Sequence, residues 1–329
     1  MQLASEVGLA VEAAGLVKTF DGVRAVDGID LEIRCGQVYG VLGPNGAGKT
    51  TMLKMLATLL PIDGGTARVF GVDVAANPHQ VRQLVGVTGQ YASVDENLTG
   101  RENLVLFGRL LGLSRSRAMA TADELLASFA LSDAADRRIK GFSGGMRRRL
   151  DLAASLIRRP PLIFLDEPTT GLDPRTRGQM WDTIRRLVRD GATVLLTTQY
   201  LDEADQLADR IAVIDRGAKV AEGTPDELKA SVGNSTLQVR LADRARTAEA
   251  AALVTRILGE EPVLTPEAGG LNIALTDANR AADVLIAFRE VKLAISTASV
   301  RQPTLDEVFL ALTGSHSSAD ASEAAEEVR

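Results

Sequence analysis

The sequence predicts an α/β protein built on a largely parallel sheet, and three observations carry that prediction. Short apolar runs recur, among them residues 38–42 (Val-Tyr-Gly-Val-Leu) and 162–165 (Leu-Ile-Phe-Leu), and each reads as a buried strand. Helical patterns separate such runs, and strands alternating with helices imply parallel pairing. Residues 43–50, Gly-Pro-Asn-Gly-Ala-Gly-Lys-Thr, fit G-x-x-x-x-G-K-[ST], the phosphate-binding loop, and they sit between one such strand and a helical stretch.

In chain order, residues 9–34 alternate apolar and polar around Phe20-Asp21-Gly22 and predict two antiparallel strands joined by a turn. After the loop, Thr51 to Leu60 reads as a helix stopped by Pro61, followed by a return to strand before residue 74. From Val81 to about Leu131 the pattern is helical. Leu104-Val105-Leu106 and Leu110-Leu111 are expected on one face there, with Gly100, Gly108 and Gly112 as interruptions. A strand at 162–165, a helix over 175–188 and a strand at 193–197 follow, and residues 209–224 alternate again up to Gly223-Thr224-Pro225. Past about Ala230 come strand 236–241, helix 247–258, strand 262–266, strand 271–276, helix 279–289 and strand 293–300. That β-α-β-β-α-β order is the ferredoxin-like arrangement of a small α+β domain. A short helix, Thr304 to Leu312, closes it. Its Leu305, Val308, Phe309 and Leu312 form one apolar face, suited to packing inside the domain or to docking on another subunit. Residues 315–329, rich in Ser, Ala and Glu, read as a disordered acidic tail. The expected division is a nucleotide-binding domain over 1–230, with a helical subdomain at about 91–160, a C-terminal domain over 231–314, and the tail.

Bulk properties narrow the function. The 329 residues are 45% hydrophobic and 24% charged, as in a globular protein with a substantial core. A net charge of −6 argues against a general nucleic-acid binder. The lone cysteine, Cys35, permits no intrachain disulfide and suits a reducing cytoplasm. The only two histidines, His79 and His316, lie far from any clustered ligands, which sets aside His-rich metal sites and histidine triads. No run approaches the ~20 apolar residues of a membrane span, and Glu6 and Glu12 without a basic start argue against a signal peptide. A soluble protein is expected, whose partner supplies any membrane part.

The chemistry gathers on three elements. In the loop, Gly43, Pro44, Asn45, Gly46, Ala47 and Gly48 turn backbone N–H groups toward phosphate oxygens, and the helix beginning near Thr51 adds its partial positive charge. Lys49 can reach the β- and γ-phosphates of a nucleotide such as ATP, and the Thr50 hydroxyl can ligate Mg²⁺. The 162–165 strand ends in Asp166-Glu167. Asp166 would act on the metal directly or through water, and Glu167 would orient or deprotonate the attacking water. Third, Phe142-Ser143-Gly144-Gly145-Met146 precedes a helix over 147–156 and offers a second helix N-terminus to a phosphate. One nucleotide has no use for both ends from one subunit, whereas two subunits facing head-to-tail could each lend this loop to the other. The run Arg147-Arg148-Arg149 is expected on a solvated or dimer-facing surface, because neighbours on a helix point roughly 100° apart.

Loop, Ser-Gly-Gly signature and acidic strand, in this order, resemble the ATP-binding subunits of ABC transporters over roughly residues 9–225. The resemblance implies the ABC-type nucleotide-binding fold, in which a mostly parallel sheet joins an antiparallel β subdomain and a helical subdomain. It implies that Phe20 stacks on adenine, that Gln90 contacts Mg²⁺ and water and signals to the membrane subunit, and that Asp173 belongs to the D-loop. Further stretches resemble the daunorubicin/doxorubicin-resistance type of antibiotic exporter: Val87 to Glu96, Phe142 to Arg149, Thr197 to Ala204, and Leu305 to Thr313. The family usually places a histidine where this chain has Gln199. An amide can hydrogen-bond to the γ-phosphate but cannot carry charge or shuttle a proton, so slow hydrolysis is expected. The implied function is an ATPase at the cytoplasmic face of the membrane, dimeric with ATP, that energises drug export through a separate multi-span permease. The alternatives are an ABC-type ATPase acting on nucleic acid or ribosomes, which this acidic chain without a basic insertion fits poorly, and a low-turnover nucleotide-sensing regulator.

Overall fold

The structure is a computed structural model and describes residues 8–89, 94–233, 235–265, 269–275, 277 and 279–312. It divides into two compact units, Met1–Pro225 and Asp226–Arg329.

In the first unit, β1 (Leu9–Phe20) and β2 (Val23–Arg34) pair antiparallel across the Asp21-Gly22 turn, with register shifts that bend the hairpin. With β4 (Gly64–Val69) and β5 (Val72–Asp73) they form an antiparallel sheet of order β2-β1-β4-β5. The second sheet has the order β10-β9-β3-β8-β7-β6. It comprises β3 (Val38–Leu42), β6 (Val85–Thr88), β7 (Leu162–Asp166), β8 (Thr193–Thr198), β9 (Arg210–Asp215) and β10 (Ala218–Gly223). All its pairings are parallel except β9 with β10. Apolar runs that look uniform in sequence are sorted by the pleat. Leu162 and Phe164 face one core, with Tyr39, Val41 and Leu195, while Ile163 and Leu165 face another, with Val194 and Leu196.

The helix after the phosphate loop, α1, runs Lys49–Leu56, so it starts two residues earlier and ends four earlier than its sequence pattern suggested. Thr58 sits at φ 62, Leu59 N–H donates to the Lys54 carbonyl at 2.8 Å and Thr58 N–H to the Met55 carbonyl at 3.0 Å. That closing turn ends the helix well before Pro61. Met52, Leu53, Met55 and Leu56 of α1 are buried in the first core.

The stretch from Val81 departs most from expectation. Helix α2 (Pro78–Leu84) gives way at once to β6, inside the stretch whose sequence pattern is helical. Gly86 allows that strand to lie where it does, since a Cβ there would come within 2.8 Å of the Ser155 carbonyl and of the Pro160 ring. Helix α3 (Gly100–Leu110) begins at a Thr99–Glu102 capping box, with Gly100 as its first residue. Gly108 does not interrupt α3 but lies inside it, where its bare Cα admits Ala118 of α4 (Arg115–Ser128). Nor do the leucines share a face: Leu104 is buried, whereas Leu106 and Leu110 are exposed. Helices α5 (Gly144–Ser155), α6 (Pro174–Arg189) and α7 (Leu201–Leu207) complete this unit. Leu150, Ala153, Met180 and Ile184 close the second core.

At the junction lies α8 (Pro225–Val232). The second unit contains β11 (Ser235–Leu241), α9 (Thr247–Leu258), β12 (Val263–Leu264), β13 (Gly270–Leu275), α10 (Arg280–Glu290) and β14 (Ile295–Arg301). Its sheet is antiparallel, in the order β12-β13-β11-β14, which is ferredoxin-like topology. Leu237, Val239, Leu271 and Ile273 pack beneath Val254, Val284 and Phe288. Residues 305–312 are helical. Leu305 and Val308 of the predicted stripe are buried, and Phe309 and Leu312 are half-buried. The acidic tail at 315–329 lies outside the described residues.

Candidate functional site

Parallel strands deliver their C-terminal ends to one edge of a sheet, where open α/β folds bind ligands. Here Leu42 of β3 pairs beside Thr198 of β8, and Thr197 of β8 beside Asp166 of β7. The loop that leaves β3, the acids that end β7 and Gln199 after β8 therefore share that edge.

Two loop positions tolerate only glycine. A Cβ on Gly43 would meet the Ile214 carbonyl oxygen at 2.2 Å, and one on Gly48, at φ 101, would meet that of Ala25 at 2.1 Å. Pro44, Asn45, Gly46 and Ala47 lie between them, and Thr50 and Thr51 continue into the first turn of α1. Asn45 to Thr50, together with Glu167, line a cavity of about 270 Å³. The Lys49 ammonium is 4% exposed, donates to the carbonyls of Gly43 at 2.8 Å and Pro44 at 2.9 Å, and lies 4.0 Å from Glu167 Oε1. Burial pushes its pKa below the usual lysine value, against the pull of the Glu167 and Asp166 carboxylates.

Thr50 Oγ1 donates to Asp166 at 2.9 Å (Oδ1) and 3.0 Å (Oδ2). From β8, Thr197 Oγ1 donates to Asp166 Oδ1 at 2.6 Å and also accepts from the Glu167 N–H at 3.2 Å. The sequence placed Thr197 at the head of an exporter-like stretch but gave it no role. Only the strand register puts its hydroxyl between the two acids. Glu167 is 6% exposed and sits at φ 48, in the left-handed region that non-glycine residues avoid. Thr170 Oγ1 donates to its Oε2 at 3.1 Å. The hydroxyl of Thr50 beside the carboxylate of Asp166 is a hard-oxygen donor pair, and it suits Mg²⁺, which keeps few protein ligands and takes the rest from phosphate and water. Among the described residues no cluster of three or more His, Cys, Asp or Glu could hold a metal without such help.

The solvated surface expected of the arginine run fails at Arg148, which is buried, while Arg147 and Arg149 are half-buried. Arg147 pairs with Glu96 at 2.5 Å and Arg149 donates to the Phe129 carbonyl at 3.0 Å. Arg148 is 9% exposed. The helix turns it toward the sheet edge, where it donates to the carbonyls of Gly89, Asp166, Glu167 and Pro168.

The remaining candidates stand outside the cavity lining. Phe20, at the end of β1, is 43% exposed, with the Lys18 ammonium 5.5 Å over its ring. Asp63 anchors that arrangement, accepting from Lys18 at 2.7 Å and from the Thr19 N–H at 2.9 Å; these bonds hold its carboxyl below the usual range. Ser143 caps α5 by accepting from the Met146 N–H at 3.3 Å. Gly144 is exposed, and Gly145 packs so closely on α6 that a Cβ would meet Thr176 Cγ2 at 2.2 Å. Asp173 caps α6, accepting from Thr176 N–H at 3.0 Å and Oγ1 at 2.6 Å; these bonds lower its pKa. Gln199 is half-buried between β8 and α7. Gln90 lies outside the described residues.

A family model described as "ABC transporter" matches residues 26–170, and one described as "ATP-binding protein DrrA1-3-like, C-terminal domain" matches residues 223–313. The chain is 57% identical over 320 residues to the daunorubicin/doxorubicin resistance ATP-binding protein DrrA of Streptomyces peucetius, covering 97% of each. It is 44% identical to the doxorubicin resistance ATP-binding protein DrrA of Mycobacterium tuberculosis (93% of this chain and 94% of that one), and 42% identical to the Nod factor export ATP-binding protein I of Burkholderia lata (70% and 76%). Among solved structures, the ATP-binding subunit of an ABC transporter superposes with a TM-score of 0.61 at 26% identity, over 68% of this chain and 92% of that one. A dimeric ATP-binding cassette holding ADP and phosphate gives 0.60 at 25% identity, over 65% and 98%.

Proposed function

We propose, from the premise that this chain belongs to the ATP-binding subunits of ABC transporters of the daunorubicin/doxorubicin-resistance type, that it drives export of an antibiotic or similar hydrophobic drug. It is an ATPase, and subunits of its family dimerise and work with a separate membrane permease. Among the described residues no helix is long and apolar enough to cross a membrane. In our reading the chain acts as a peripheral subunit at the cytoplasmic face, as its family does. Residues 1–230 would form the nucleotide domain and 231–314 an assembly domain.

The observation that carries the ATPase chemistry is a cavity lined by Lys49, Thr50 and Glu167, where the Lys49 ammonium comes within 4.0 Å of Glu167 and the Thr50 hydroxyl reaches Asp166 beside it. The likeness to drug-resistance proteins carries the export. In our reading Lys49 leaves the Gly43 and Pro44 carbonyls for the β- and γ-phosphates. The loop N–H groups cradle those phosphates, and Phe20 stacks on the adenine. Thr50 and Asp166, with Gln90, would hold Mg²⁺, which neutralises charge between the β- and γ-oxygens when bound. Glu167 orients or deprotonates the attacking water, and the Gln199 amide donates toward the γ-phosphate. Ser143, Gly144 and Gly145 would close over the nucleotide of a head-to-tail partner, beside Asp173.

The test is to reconstitute the chain with its permease in vesicles and measure ATP turnover and drug uptake with an anthracycline present. Drug should raise turnover, and Lys49→Ala should abolish both activities while the chain stays folded. Turnover at the wild-type rate in Lys49→Ala would remove the loop from the mechanism. Turnover indifferent to every drug tested would remove drug export.

A further inference from the structure

We propose that Arg148 is a positioning residue for hydrolysis, holding Glu167 in its reactive orientation and tying it to the helix that begins at Ser143. The inference rests on the reading of Glu167 as the residue that handles water.

The guanidinium of Arg148 is buried and forms a long ion pair with Asp151, at 3.9 Å. Its fork of donors goes to backbone. Nε donates to the Pro168 carbonyl at 3.0 Å, Nη2 to those of Asp166 at 2.8 Å and Glu167 at 3.1 Å, and Nη1 to that of Gly89. Desolvating a cation is costly, so four carbonyl partners mark a place where the fold needs donors it cannot draw from a sheet ladder. That place is the turn leaving β7. Glu167 sits there at φ 48, a conformation an L-residue keeps only when its surroundings over-determine it. β8 holds its N–H, through the Thr197 carbonyl at 3.0 Å, and Arg148 holds its C=O. A lysine could not reproduce this, since it offers a point charge rather than a planar fork.

Without the guanidinium, the consecutive carbonyls of residues 166–168 lose a shared donor and the turn can relax, carrying the Glu167 carboxylate with it. A displacement near 1 Å at a reacting group costs on the order of 100-fold in rate. The phosphate loop is not among the groups Arg148 holds, so nucleotide affinity should survive. Turnover and affinity therefore separate under this inference, whereas they would fall together for a general support of the fold.

The experiment compares Arg148→Gln and Arg148→Lys with the wild type and with Glu167→Gln, measuring ATP affinity, kcat and thermal midpoint. Expected for Arg148→Gln is a kcat reduced by roughly 10- to 100-fold with ATP affinity within about threefold of wild type. Arg148→Lys should recover only part of the rate. Adding Arg148→Gln to Glu167→Gln should cost no further turnover, because the two act as a unit. Unchanged kcat in Arg148→Gln would overturn the inference, as would a loss of ATP affinity as large as the loss of kcat. Wild-type turnover in Glu167→Gln would instead overturn the reading of Glu167, and this inference with it.

Discussion

Gln199, between β8 and α7, and Glu203, in the first turn of α7, each make a prediction about single side chains. An amide at Gln199 can hydrogen-bond to a γ-phosphate but offers no cation to the developing charge. Gln199→Ala should lower turnover roughly 10- to 1,000-fold, whereas Gln199→His should keep activity and add a pH dependence near neutrality. Steady-state rates across pH 5.5–8.5 check both, and an unchanged alanine variant would make the position a bystander. Glu203 is fully buried, accepts from Trp181 Nε1 at 3.2 Å, and faces Thr198, Thr169, Arg148 and the neighbouring Asp202. Burial raises its pKa above the usual carboxylate value despite those donors. The folded chain thus keeps this proton to higher pH than the unfolded chain. The group favours folding below the ordinary carboxylate pKa, and that contribution is lost as pH climbs through the raised value. Glu203→Gln should therefore melt higher than wild type at pH 8, the gap closing toward pH 4–5; thermal scans that show a wider gap in acid would contradict this.

Among the elements, α5 and α6 depend on each other through one missing Cβ. The Ser-Gly-Gly signature was legible as a helix start, and Gly145 has a packing reason to be glycine, since a Cβ there would meet Thr176 Cγ2 at 2.2 Å. Gly145→Ala should cost about 1–3 kcal/mol as overpacking. The double variant Gly145→Ala/Thr176→Ser removes the clashing methyl while keeping a hydroxyl for Asp173. If packing is the whole reason, the double variant should regain both stability and turnover. Regained stability with turnover still lost would mean the added methyl also obstructs the nucleotide of the partner subunit. Chemical denaturation with parallel ATPase assays distinguishes the outcomes. The missed strand β6 teaches the same lesson at this scale. Val85-Gly86-Val87-Thr88 carries too few residues to outvote the helical pattern on either side. It becomes a strand only because β7 supplies an edge to pair with.

At the scale of the molecule, a site that uses Ser143 and Gly145 from one copy and Lys49 and Glu167 from another predicts that ATP drives assembly. Glu167→Gln, which should bind but not cleave ATP, is expected to sediment as a dimer at saturating ATP and Mg²⁺ and as a monomer without nucleotide. A monomer under both conditions would contradict the shared site. The sequence by itself determined the alternation of strand and helix, the phosphate loop, the acidic strand end and the β-α-β-β-α-β order of residues 235–301. Each of these is written in a local pattern: a spacing, a period or a turn. Only the tertiary structure decided that Thr197 bridges Asp166 and Glu167, that Arg148 is buried while Arg147 and Arg149 are half-buried, and that Gly86, Gly108 and Gly145 are points of close approach. Those facts depend on strand register and helix rotation, which residues distant in sequence set together by packing, so no local window of the chain contains them.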